Sequence, residues 1–202
     1  QRQMCIRDSI NPTELSHFLP KGVLLHTKRV EIIATELAET HGVDIEKVKV
    51  AALFHDLARA KRPDKLLKLA KQFGLTLESV EENVPILIHG PIGAEFAKRN
   101  YGVLDHDVIQ AIQAHTTGSG NLGKVARIIF LADKLDPSKD KRYPFNPIVR
   151  DLASKHLEKA ILAFIDGDIS RHLSAGRFIH PNTIEFRNDL INDISCGKRL
   201  MN

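Results

Sequence analysis

A histidine and an aspartate stand side by side, His55-Asp56, in a stretch that otherwise has the pattern of a core helix. Val48, Ala51, Ala52, His55 and Asp56 follow the i, i+3, i+4, i+7, i+8 spacing of one buried helix face. A carboxylate on that face is costly to bury unless it is paired or binds a metal. The chain must therefore fold so that other polar groups converge on this pair.

Other segments carry the same anomaly. Val108, Ala111 and Ile112 form a helical stripe that ends in His115. Val125, Ile128, Ile129 and Ala132 form one that ends in Asp133, and Val30, Ile33, Ala34 and Leu37 form one that begins with His26. A looser case is His89, set just before a helix expected to begin at Pro91 and to carry Ile92, Gly93, Phe96 and Ala97. Taken singly, a histidine on an apolar face is usually a hydrogen-bonded core residue. An aspartate after an apolar run is most often a helix-end residue. Several segments that all turn imidazole or carboxylate inward are not explained that way.

The 202 residues suffice for one domain with a substantial core. With 43% hydrophobic and 27% charged residues, the balance is that of a soluble globular protein. No apolar run approaches the roughly 20 residues of a membrane span, and no secretory leader is visible, so no membrane partner is expected. Cys5 and Cys196 make neither a metal spacing nor a disulfide framework, and a cytoplasmic setting fits. A net charge of +4 is too small to imply nucleic-acid binding but suits phosphate-bearing ligands.

In chain order the pattern is one of successive helices with no convincing strand, so the expected class is all-α. Residues 1–10 carry no period and no cap, and 1–19 are expected to be an N-terminal segment, ordered only in part. Helices are expected from Gly22 to Thr40, from the Asp44 cap through Arg59, from Pro63 to Gly74, from Thr76 to Pro85 and from Pro91 to Gly102. Further ones are expected from the Asp105 cap to His115, from Asn121 through Asp133, from 148 to 173 and from 182 to 195. Residues 116–120 and 136–147 read as loops. The region 148–195 shows no inward polar anomaly and is expected to complete the bundle or make a homodimer contact. His41 is read as a helix C-terminal residue, favourable to the helix dipole, and His17, His106, His156, His172 and His180 as lying in loops or exposed, with no chemistry.

Imidazole nitrogens and carboxylate oxygens without thiolate suit Fe, Mn, Co, Ni or Zn, and argue against a structural zinc site. His26, His55, His89, His115, Asp56 and Asp133 are more donors than one catalytic metal needs. The surplus points to two metals, with Asp56 as the natural bridge. Such a pair can activate water and stabilise a displaced phosphoryl group, which predicts phosphate-ester or anhydride hydrolysis. Arg59 and Lys61, close to the pair, are candidates to offset phosphate charge. Lys65, Lys68 and Lys71 read equally well as a solvated face. Thr116, Thr117 and Gly118 offer hydroxyls and backbone N–H groups to phosphate oxygens. Lys134 and Lys139 flank the turn after Asp133.

The order His26, His55-Asp56, Asp133 resembles the signature of the HD-domain metal-dependent phosphohydrolases, and the added His89 and His115 resemble their two-metal subset. The segments LLHTKRV, ALFHDLAR, ILIHGPIGAEF, AIQAHTTG and FLADKLDP are similar to the YqeK-like, symmetrical bis(5'-nucleosyl)-tetraphosphatase family. The resemblance covers residues 20–140 and implies an HD-domain helical bundle, with 141–202 as a C-terminal helical extension packed on the same domain. It implies a di-iron centre and symmetrical hydrolysis of diadenosine tetraphosphate to two ADP by a metal-bound hydroxide. By the same resemblance His26, His55, Asp56 and Asp133 would hold one metal, and His89, His115 and bridging Asp56 the other. Asp56 and Arg59 would be catalytic; Arg59, Lys61, Thr116, Thr117, Gly118 and Lys139 would contact substrate. The chain departs from the family pattern at Val23, Arg59, Ser119 and Lys139, candidate phosphate or nucleotide contacts. The rival readings are hydrolysis of another nucleotide, ppGpp among them, and a non-catalytic nucleotide-binding module.

Overall fold

A computed structural model describes residues 19–199; the expectations for residues 1–18 lie outside them. The described residues are all-α, with no strand. The helices are α1 (Lys21–His41), α2 (Ile45–Phe54), α3 (Pro63–Phe73), α4 (Ser79–Asn83), α5 (His89–Tyr101), α6 (His106–Ala114), α7 (Lys124–Lys134), α8 (Asn146–Ala153), α9 (Leu157–Ser174) and α10 (Pro181–Arg199), with 3₁₀ turns at Pro85–Ile88 and Pro137–Lys139.

Local chemistry sets many of the boundaries. Gly42 closes α1 in the left-handed conformation at φ 64°. Asp44 caps α2 by accepting from the N–H groups of Glu46 and Lys47, and Asp105 caps α6 the same way on Asp107 and Val108. Loss of such a cap costs about 1 kcal/mol.

Five boundaries differ from the sequence pattern. α2 does not run to Arg59: it stops at Phe54, and tight turns follow, with N–H to carbonyl bonds from Leu57 to Phe54, Arg59 to Asp56 and Lys61 to Ala58. The cause is local competition, since the His55 ring donates to the Ala52 carbonyl that the next helical N–H would have used. α4 starts at Ser79, because Glu78 and Glu81 form a reciprocal capping box. α7 starts after Gly123, and Asn121 instead takes a left-handed turn at φ 55°. The expected 148–173 helix is two helices with an extended residue, His156, between them. There the Ala153 carbonyl accepts from His41 Nε2 at 2.7 Å instead of from the next turn of its own helix. α5 likewise begins at His89 rather than at Pro91.

α1 packs on α2 and α7, α6 on α2, α5 and α7, and α9 on α7, α8 and α10. One apolar core runs from Val30 to Leu190 and so includes α8, α9 and α10. Its centre is aromatic: Phe130 of α7 lies edge-on to Phe164 of α9 and Phe186 of α10, with centroids 6.2 and 5.3 Å away. A second, smaller cluster joins α3 to α5 through Leu66, Leu69, Ala70, Ile88 and Ile92. α5 and α6 approach closely at Gly90, where a methyl group would lie 2.6 Å from the Gln113 carbonyl oxygen and 3.0 Å from that of Ile112.

Candidate metal centre and its cavity

Three of the inward histidines sit at element ends: His55 just past α2, His89 at the junction of a 3₁₀ turn and α5, and His115 just past α6. All three are buried. Each donates from Nδ1 to the carbonyl three residues back, His55 to Ala52 at 2.7 Å, His89 to Ile86 at 2.5 Å and His115 to Ile112 at 2.8 Å. That bond fixes the tautomer and turns each Nε2 lone pair inward. His26, inside α1, is held differently. Its Nδ1 bonds Asp136, whose carboxylate is fully buried and takes Arg29 Nε at 2.8 Å and Nη2 at 2.9 Å.

The four Nε2 atoms face Asp56 and Asp133. Oδ1 of Asp56 lies 3.0 Å from His89 Nε2 and 3.6 Å from His115 Nε2. Its Oδ2 lies 3.7 Å from His26 Nε2 and 3.6 Å from His55 Nε2. Asp133 Oδ1 lies 2.9 Å from His26 and 3.9 Å from His55. Two groups with metal-binding spacing result, His26-His55-Asp56 and Asp56-His89-His115, and Asp56 is common to both. The donor set fits cations on its own chemistry. With each Nδ1 proton given to a carbonyl, neutral rings of His89 and His115 bring two Nε2 lone pairs to 2.9 Å, an arrangement that a cation between them would relieve.

Electrostatics agree. Burial pushes the His115 imidazole down to about 3, and burial also lowers His55. Burial works against the charge of Asp56, yet the imidazoles around it hold its carboxyl far below the usual range. Burial opposes the charge of Asp133 too, and Lys134 and Lys139 more than reverse that. For His26 burial is outweighed by Asp133 and Asp136, and its pKa rises.

The site floors a cavity of about 930 Å³. Arg59, Thr116, Thr117 and Lys139 line it with five of the six inward donors; Lys61, Gly118 and the fully buried His55 do not. Lys61 is exposed, as are Lys65, Lys68 and Lys71. Gly118 is buried at φ 73°, and a Cβ there would come 2.5 Å from Phe186. The Thr116 hydroxyl sits 3.1 Å from His115 Nε2.

Several residues here have contacts that the sequence pattern did not show. Lys134 is buried; its Nζ bonds Asp133 Oδ2 and the His115 carbonyl, each at 2.8 Å. Arg29 and Asp136 lie three residues after His26 and Asp133, a spacing that was the available signal. The region 148–195 is not free of inward polar groups: Asp168, His172, Arg177 and His180 line the cavity, and His180 is buried rather than exposed.

A family model for the HD domain matches residues 23–138. The chain belongs to the HD-domain family. Two curated relatives of this HD protein are named symmetrical bis(5'-nucleosyl)-tetraphosphatase. The one from Halalkalibacterium halodurans is 33% identical, over 82% of this chain and 87% of its own. The one from Bacillus subtilis is 30% identical, over 83% and 88%. The solved structure of a Clostridium acetobutylicum protein described as an HD superfamily hydrolase involved in NAD metabolism superposes with TM-score 0.85 and 32% identity, covering 90% of this chain and 95% of that one. These likenesses over most of each chain make this HD protein a metal-dependent phosphohydrolase. Among the described residues no helix is long and apolar enough to cross a membrane.

Proposed function

We propose that this HD-domain protein hydrolyses dinucleoside polyphosphates and cuts diadenosine tetraphosphate symmetrically to two ADP. The observation that carries the reading is Asp56, whose two oxygens face separate histidine pairs at the floor of a cation-lined cavity. Its volume of about 930 Å³ lies at the upper end of ordinary ligand pockets. The names of the curated relatives supply the substrate.

His26, His55, Asp56 and Asp133 would hold one metal, and His89, His115 and Asp56 the other. Iron is the proposed occupant, in line with the family resemblance, from a nitrogen and oxygen set that also suits Mn, Co, Ni or Zn. Bound there, the two ions would supply Lewis acidity toward phosphate oxygens and lower the pKa of water. The protein's own part is positional. The carbonyl-pinned imidazoles and the Asp136-Arg29 pair aim the donors. Arg59, Lys139, Arg142 and Arg177 line the cavity and would offset polyphosphate charge.

The test is to incubate metal-loaded protein with diadenosine tetraphosphate, alongside a chelated control, and separate the products by anion exchange. ADP alone, lost with chelator, is expected. ATP with AMP would overturn the symmetric cut. No turnover would favour the second reading, another nucleotide such as ppGpp, for which Val23 in the cavity wall is the supporting observation.

A further inference from the structure

The first turns of α10 are tied to the cavity from two directions. The Thr183 hydroxyl donates to the Thr117 carbonyl at 2.7 Å, and Phe186 lies under Gly118. His180 reaches the other way. It is 5% exposed, and its Nδ1 accepts from the Asn182 N–H at 3.1 Å, which places the ring proton on Nε2. That Nε2 has no partner at hydrogen-bonding geometry, and Glu81 Oε1 lies 3.4 Å away. The other oxygen of Glu81, Oε2, accepts from the Glu78 N–H at 2.8 Å and closes the capping box of α4. The helix cap therefore fixes the carboxylate with one oxygen aimed at His180. Just before His180, Phe178 and Ile179 line the cavity; just after α4, so do Val84, Ile86 and Leu87.

We propose that His180 and Glu81 are positioning residues for nucleotide binding. The pair holds the 177–180 segment to α4 and so sets the width of the apolar slot that takes the nucleoside end of the substrate, without touching its phosphates. This rests on the dinucleoside reading above. Neither residue is a metal-ligand candidate, and neither joins the hydrogen bonds that orient one, so the pair acts on the cavity wall and not on its floor.

The test measures binding of ADP and of inorganic phosphate to the metal-loaded protein by calorimetry, with steady-state kinetics on the dinucleotide. His180→Ala is expected to weaken ADP about tenfold, equivalent to about 1.4 kcal/mol, while phosphate shifts by less than about twofold. KM for the dinucleotide should rise more than kcat falls. His180→Gln keeps an N–H where Nε2 stands and should restore ADP binding to within about threefold of wild type. Glu81→Gln keeps the capping box acceptor and should weaken ADP by an intermediate amount, which covers the case in which His180→Ala does not fold. Unchanged ADP affinity in both single variants overturns the proposal. So does phosphate weakening in step with ADP, or a glutamine variant as damaged as alanine. Wild-type protein that binds ADP but leaves diadenosine tetraphosphate intact overturns the substrate reading alone, and the ADP-to-phosphate ratio still decides the pair. Wild-type protein that binds no ADP overturns both.

Discussion

His26 and the trio His55, His89 and His115 all point Nε2 at Asp56, yet they are aimed by different means. The trio is held by main-chain carbonyls three residues back. His26 is held by a carboxylate and an arginine, both side chains. The difference teaches where the centre is open to tuning. No substitution removes a carbonyl, so the orientation of the trio is a property of helix ends. That of His26 can be altered without touching a donor.

The largest expected effect comes from the residue that joins the two arrangements. Asp56→Ala should abolish turnover and lower bound metal, measured by hydrolysis and by elemental analysis; full activity would sink the bridging role. Next is Asp136→Asn, which leaves all six donors in place and, among them, loosens only His26. A loss of about 10- to 100-fold in metal affinity or activity is expected, as for other partners of ligand histidines. An unchanged variant would mean that α1 aims His26 without help.

Metal removal should cost the trio as much as His26, since lone pairs are left facing one another. At a metal concentration 100 times its Kd, binding contributes about 2.7 kcal/mol of stability. A chelator should lower the melting temperature accordingly, and excess metal should restore it.

Acid separates the two arrangements by sign in the metal-free protein. His115 is kept neutral by burial, so the unfolded chain takes up protons first, and stability falls as the pH drops from about 6.5 toward 3. His26 has a raised pKa, so its contribution is present below its unfolded value and is lost as pH rises through the folded one. Above about pH 6.5, where the wild type loses the His26 contribution as pH rises, Asp136→Asn should show a shallower loss of stability. Denaturant midpoints against pH measure this; parallel curves would show that Asp133 alone sets the His26 shift. The smallest effect is Lys61→Ala, expected to move KM by less than about twofold, because the side chain is exposed and lies off the cavity lining.

The donors were legible in the sequence because each begins or ends an apolar stripe, where a polar residue has a cost that needs a reason. The class was legible for the same reason: the 3.6-residue period dominates. The turn at His55 was not, because it depends on an imidazole taking its own helix's carbonyl. Neither was the break after Ala153, which needs His41 from 112 residues away. Arg29 and Asp136 look like solvated charges until the fold brings them together. His180 and Phe178 stand in a segment without periodicity, and only the packing of α10 gives them a role.

The close crossing at Gly90 has a consequence for anyone reading variant data on this protein. The Ile112 carbonyl that a side chain there would strike is the one that pins His115. In a saturation library position 90 should therefore score as intolerant as a ligand, with alanine already depleted, although a hydrogen atom is all that it contributes.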